Sequence, residues 1–197
     1  GVQLGLGVKL AAVYRIHDQG NLSATDNTFD LAIQGKGYFQ ITMPTGDTSF
    51  TRDGTFQLDG SGQLVTHDGY TVQPGINIPA NAIDISVNGS GEVQAKIQGQ
   101  AALQTVGQLS IASFPNEAGL ESIGGNLYLE TPASGSSSTA APGSTGFGAI
   151  LQGFLETSNV NAVEEISNLI SAQRAYEMNS KVIKTSDEML GTLTQLR

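Results

Sequence analysis

Residues Asn161–Leu196 read N-AVEEISNLISAQRAYEMNSKVIKTSDEMLGTLTQL, and their periodicity decides how the rest of the chain is to be taken. With Leu169 at position a of a heptad, the a and d positions fall on Leu169, Ala172, Tyr176, Asn179, Ile183, Ser186, Leu190 and Leu193. Alternating three-four spacing of this kind keeps one seam of an α-helix turned toward a partner helix. Position g adds Ala175, Val182, Met189 and Leu196, so the apolar face is broader than a strict seam. No proline interrupts the stretch, and its one glycine is Gly191. Asn161 is a good N-cap, Glu164 stands at capping-box spacing, and Glu165 adds negative charge to the first turn. About 36 residues make a rod of roughly 54 Å. The sequence offers no second helix of comparable length to cover such a stripe, so the partner is a segment missing from this chain or another molecule.

Upstream, the residues read as a turn-rich β domain. Gly is frequent (25) and charged residues are few (14%), which suits short strands and tight turns. Val8–Ile16 alternates well enough for a strand. Leu31–Ile33 and Tyr38–Thr42 flank Gly35-Lys36-Gly37 and read as a hairpin whose glycines supply positive φ. Short strands follow at Ser49–Thr51, Thr55–Leu58 and Gln63–Val65. They are punctuated by Asp53-Gly54, Asp59-Gly60 and Asp68-Gly69, pairs favoured where φ turns positive. Further strands are expected at Tyr70–Gln73, Ile83–Val87, Glu92–Ile97, Gly107–Phe114 and Asn126–Glu130. From Pro132 to Gly146 the sequence lacks any bulky apolar residue and reads as a loop or linker. The expected organisation is a β domain over 1–131, a Gly/Ser/Pro-rich loop or linker over 132–146, a strand and connection over 147–160, and an assembly helix over 161–197. The fold class is therefore mainly β, a single domain of short strands followed by one long C-terminal α-helix.

Charge and composition narrow the function classes. A net charge of −9, with only nine Lys plus Arg, argues against nucleic-acid binding, which needs clustered basic residues. The absence of cysteine excludes disulfides, thiolate zinc sites and a Cys nucleophile. No apolar run reaches membrane-spanning length, and no signal peptide is evident. His17 and His67 lie far apart in turn-rich surroundings, without a second histidine at metal-ligand spacing. Asp59-Gly60-Ser61-Gly62-Gln63 offers one carboxylate where calcium loops use several, and reads as a hairpin turn. Neither Gly5-Leu6-Gly7 nor Gly35-Lys36-Gly37 opens a helix after a strand, so neither is a phosphate cradle. Asp26 and Asp30 form a carboxylate pair of the kind glycosidases use, but in an Asp/Asn-rich loop they read as turn residues. The expectation is a non-enzyme without cofactor, metal or small-molecule substrate.

Several stretches resemble a known family. Gln19–Thr25 (QGNLSAT), Asp30–Phe39 (DLAIQGKGYF) and Phe50-Thr51-Arg52-Asp53-Gly54 followed by Phe56 and Gly62–Val65 are similar to the signature of bacterial flagellar rod and hook proteins. So are Gly119–Tyr128 (GLESIGGNLY), Ser158–Asn161 with Glu164, and Gln173–Lys181 (QRAYEMNSK), the most specific part. The resemblance covers nearly the whole chain. Within the family it points to the distal rod, with proximal rod or hook subunits as alternatives; hook subunits carry an additional outer domain for which there is no room here. The resemblance implies a structural subunit that polymerises with itself into a hollow helical drive shaft transmitting torque. Its neighbours would be proximal rod proteins, the hook protein and surrounding ring (bushing) proteins. Its place would be the flagellar basal body, in the rod that crosses the periplasm, reached through the flagellar export apparatus without a cleaved signal peptide.

Family members begin with a long helix bearing an Ala-Asn-Asn-type motif. Nothing like it is present, so the expectation is a fragment that starts inside the β domain, its C-terminal helix frayed, folded back or paired with another copy. The expected assembly seam is Leu169, Ala172, Tyr176, Asn179, Ile183, Ser186, Leu190 and Leu193. Asn179 and Ser186 are polar d positions that fix register at a cost in stability. Arg174, Glu177 and Lys181, at f, b and f, are candidates for lateral contacts or simply solvated charges. A reading that dispenses with the family is a surface-exposed β-rich binding module with an oligomerising stalk.

Overall fold

The computed structural model describes residues 15–100 and 102–195, with helix side chains described as far as Met189. The chain divides into two compact units, one ending at Thr157 and one beginning at Ser158. The first is built of short strands. In chain order these are β1 (Leu22–Ala24), β2 (Leu31–Gln34), β3 (Tyr38–Thr42), β4 (Thr48–Thr51), β5 (Phe56–Leu58) and β6 (Leu64–Thr66). They continue as β7 (Thr71–Val72), β8 (Ala82–Val87), β9 (Glu92–Ile97), β10 (Leu103–Gln108) and β11 (Ile111–Ser113). The remainder are β12 (Glu121–Gly124), β13 (Leu127–Leu129), β14 (Ser138–Ala140), β15 (Ala149–Gln152) and β16 (Phe154–Glu156). The second unit is one helix, α1 (Ala162–Gln195). The mainly-β class with a single long C-terminal helix is thus observed.

β3 is the hub. One edge pairs with β4, Phe39 opposite Thr51 and Ile41 opposite Ser49. The other edge is shared, β11 taking Tyr38 and Phe39 and β7 taking Ile41 and Thr42. Strand alternation sends Phe39 and Ile41 to one face and Tyr38 to the other. The first pair joins a core with Leu31, Ile33, Phe56, Val72, Ile111 and Ile150. Tyr38 joins a separate cluster with Phe50, Ala112, Phe114 and Leu120. Edge-to-face aromatic contacts fix each core, Phe39 on Phe56 at 5.0 Å and Phe50 on Phe114 at 4.8 Å. Smaller pieces attach to this frame: a β8–β9–β10 sheet, a β2–β15 ribbon and a β1–β16 ribbon.

Four local expectations are corrected. β2 and β3 do not form a hairpin. β2 pairs with β15 and β3 with β4, β7 and β11, because Gly35 (φ 108°) and Gly37 (φ 140°) send the chain from one sheet to another. Gly107–Phe114 is not one strand. It splits into β10 and β11 in different sheets, with buried Leu109 at the crossing donating its N–H to Gly91 O at 2.7 Å. Of the three Asp-Gly pairs only Gly69 takes a positive φ (85°). The stretch 132–146 is more than a linker, since β14 pairs with β11 and Ser134 is fully buried, its Oγ donating to Thr131 O at 2.8 Å. Backbone pairing holds small residues that have no apolar bulk to bury. The strand expected over Val8–Ile16 lies outside the described residues except for Arg15 and Ile16, which belong to no regular element.

Gly54 serves close approach: a Cβ there would run into the carbonyl oxygen of Leu31, whose N–H bonds to Gly54 O at 3.0 Å. Gly60 has open space around its α-carbon. Gly54→Ala is therefore expected to lower stability by about 3 kcal/mol, as overpacking against backbone does. Gly60→Ala is expected to stay within about 0.5 kcal/mol of the parent. Urea midpoints check both, and equal midpoints would show that the Leu31 contact does not constrain the fold.

Candidate assembly surfaces

Helix α1 begins as the sequence requires. Asn161 Oδ1 accepts the N–H of Val163 at 3.2 Å and of Glu164 at 3.4 Å, and Glu164 and Glu165 occupy the first turn. From Ala162 the helix is unbroken for 34 residues, Gly191 included. Three a positions are bare: Leu169 is 68% exposed, Tyr176 76% and Ile183 62%. Ala172 and Asn179 are also exposed, and Ser186 is half-buried. Leu190 and Leu193 lie within the helix, but their side chains are outside the described set. Arg174, Glu177 and Lys181 are exposed. Glu177 accepts a hydrogen bond from Gln173 Nε2 at 3.3 Å, a local i,i+4 contact. The Lys181 carbonyl accepts Thr185 Oγ1 at 2.9 Å, one turn along. Val163, Ile166, Ile170 and Met178 are exposed too, so the apolar band extends beyond the a, d and g positions. Heptad phasing alone had no place for Ile170 at b or Met178 at c.

On the β unit, one side chain gathers distant segments. Arg52 Nε donates to Glu156 Oε2 at 2.9 Å, and its Nη2 lies 2.8 Å from the same oxygen. Its Nη1 donates to the carbonyls of Gly35 at 2.8 Å and Gly37 at 2.7 Å. The other Glu156 oxygen accepts the N–H of Gly20 at 2.8 Å. Gln19 bridges alongside, donating to Ile33 O at 2.8 Å and accepting Gly35 N–H at 3.0 Å. The guanidinium also stands 5.8 Å from the Tyr38 ring centroid. Of the stretches Gly35–Tyr38 and Thr51–Gly54 noted in the sequence, the network uses Gly35, Gly37, Tyr38 and Arg52. Glu156 escaped sequence reading, since no local pattern relates residues 104 apart.

Of the remaining polar candidates, Asp30, Asp59, His17 and His67 have side-chain partners within the fold. Asp30 is buried, accepting Thr25 Oγ1 at 2.7 Å and Asn27 Nδ2 at 2.9 Å, while Asp26 is exposed. Asp59 accepts the N–H groups of Gln63 and Ser61, each at 2.8 Å, within the β5–β6 hairpin. Those backbone donors, first that of Gln63, together with the Ser61 hydroxyl hold its carboxyl below the ordinary range. His17 Nδ1 is 3.2 Å from the Tyr38 hydroxyl, and His67 Nε2 is 3.2 Å from Asp68. Burial pushes the Tyr38 phenol far above its ordinary value, and the Glu117 carboxylate, 3.3 Å away, adds to the shift.

Two family models match the chain. Residues 32–95 match the flagellar hook protein FlgE/F/G D1 domain, and residues 151–196 the flagellar basal body rod FlgEFG protein C-terminal region. A flagellar basal-body rod protein FlgG from Caulobacter vibrioides is 59% identical over 197 residues, all of this chain and 75% of the relative. The Bacillus subtilis FlgG is 44% identical over 201 residues, 99% of this chain and 75% of the relative. The flagellar hook protein FlgE of Salmonella typhimurium is 33% identical over 198 residues, 94% of this chain but 48% of the relative.

The sign of the Tyr38 shift gives an alkaline signature. The folded chain holds this proton more tightly than the unfolded chain, which releases it near pH 10. The stability it contributes is present below about pH 10 and is lost as pH rises further. Denaturant midpoints are expected to fall above that pH in the parent and to fall less steeply in Tyr38→Phe. Parallel curves would remove Tyr38 as the cause.

Proposed function

This chain belongs to the FlgG family of flagellar basal-body rod proteins, and we propose that it is a distal-rod subunit whose exposed helix seam drives assembly into a hollow helical shaft. It is a structural subunit of the flagellar basal body, built to assemble with other rod and hook components. The observation that carries the finer reading is α1 itself: 34 continuous residues with Leu169, Tyr176 and Ile183 bare at successive a positions. Fully burying one such side chain contributes about 1.5–3 kcal/mol, so a shared seam supplies a large association energy without any ligand. The mate is the N-terminal helix characteristic of the family, with which the seam forms a coiled coil lining the shaft.

Head-to-tail contacts between identical subunits that do not close into a ring generate an open helical array. Such an array carries torque through many packed contacts per subunit, and its bore passes exported subunits. Proximal rod proteins and the hook protein adjoin its ends, and ring proteins surround it. The subunit crosses into the periplasm through the flagellar export apparatus. Asn179 and Ser186 select register in the seam, while Arg174, Glu177 and Lys181 meet neighbours laterally.

Hydrogen exchange on residues 161–195 of the dilute monomer is expected to show little protection beside strong protection of β3 and β4. Strong protection of the helix in the monomer counts against a missing mate. In cells carrying the full-length protein, Leu169→Glu and Ile183→Glu are expected to abolish rod assembly, seen by electron microscopy of basal bodies. The thermal midpoint of the β unit should stay unchanged; normal rods would overturn the seam assignment.

A further inference from the structure

The β1–β16 ribbon is short, and isolated two-stranded ribbons are marginally stable in water. Its pairing is Leu22 with Glu156, Ser23 with Leu155 and Ala24 with Phe154. None of these six residues is buried: Leu22, Phe154, Leu155 and Glu156 are half-buried, and Ser23 and Ala24 are exposed. Apolar packing alone therefore holds it weakly. Yet this ribbon holds the strand that runs on toward the helix. β1 is the first and β16 the last strand of the β unit among the described residues, and α1 follows β16 after a short connection. By covalent continuity, load passing along the backbone from the helix meets the β unit at β16.

We propose that Arg52 is the positioning residue of this ribbon, fastening it to the β3 frame through Glu156. The side-chain geometry is specific to a guanidinium. Nε and Nη2 converge on one Glu156 oxygen while Nη1 spans the carbonyls of Gly35 and Gly37, the turn that leads into β3. A lysine ammonium is a point donor and cannot fill this fork. The second Glu156 oxygen holds Gly20 N–H, so one carboxylate ties the incoming segment, the outgoing strand and the core together. The side chains of Arg52 and Glu156 are 22% and 14% exposed, shielded enough that bulk water does not replace the bonds at no cost. Gly35 and Gly37, both at positive φ, present their carbonyls to Arg52. Arg52 thus converts a marginal ribbon into a firmly held one.

The test is amide exchange on the chain with Glu156→Ala and, separately, Arg52→Lys. The reporters are Thr25 and Thr157, whose N–H groups bond to Gly153 O and Asn21 O at 2.7 and 2.8 Å. Both variants are expected to speed exchange at these reporters about tenfold or more, which corresponds to about 1.4 kcal/mol, while β3 and β4 amides keep their protection. Unchanged reporters overturn the proposal, as does equal loosening of β3 and β4, which would make the pair a general stability contact. If Arg52→Lys does not fold, Glu156→Ala carries the test, since it leaves the bonds to Gly35 and Gly37. The load-bearing part rests on the rod reading; the exchange arm stands without it. In cells carrying full-length Glu156→Ala, rods are expected to assemble normally but swimming in viscous medium to fail. A loosened ribbon with normal swimming overturns the load-bearing role.

Discussion

Everything in the β unit depends on β3 being buried on both faces and paired along both edges. A strand in that position has no solvent-facing side, so its five residues take on two jobs at once. Phe39 and Ile41 nucleate the larger core, and Tyr38 anchors the smaller one. The neighbours then have little freedom. β4 takes one edge, and the other is divided between β11 and β7 because no single strand runs its whole length. With the frame set, the β8–β9–β10 sheet attaches through Val93 and the β2–β15 ribbon through Leu31, Ile33 and Ile150.

What was legible in the sequence was what is encoded locally. The helix is visible because its period recurs over many turns and because Asn161 can be recognised as a cap from its own neighbourhood. Glu92–Ile97 was readable as a strand since Val93, Ala95 and Ile97 alternate with polar residues, and those three are the buried ones. Partners are another matter. Nothing near Leu31 says that it faces Gln152, and a glycine-flanked turn beside it invites a hairpin that the fold does not make. β14 was hidden for a different reason: Ser138–Ala140 enters the sheet on its backbone bonds, with no apolar signature. Asp-Gly misled similarly at Gly54, where the missing side chain makes room for Leu31 and no turn in left-handed φ is needed.

The same division applies to the functional surfaces. A helix seam is a repeating pattern and announces itself. The Arg52 network is a single constellation drawn from four stretches of chain, residues 19–20, 33–38, 52 and 156, and only its motif residues stand out along the sequence. Its polar groups border a cavity that His17, Lys36 and Glu117 also line, yet they are bonded to protein partners. They face one another, as expected where polar chemistry is used for fastening.

The register of the terminal ribbon has one more implication. Because Leu22 lies opposite Glu156, the strands are antiparallel with both chain continuations at the same end. Tension that spreads these two continuations opens such a pair like a zip, one rung at a time, and the first rung is the bond from Thr157 to Asn21. The second is the Leu22–Glu156 pair, where the Arg52 fork is attached. The Arg52 fork therefore sits one rung from where opening starts, so a breach meets it before reaching the rungs behind.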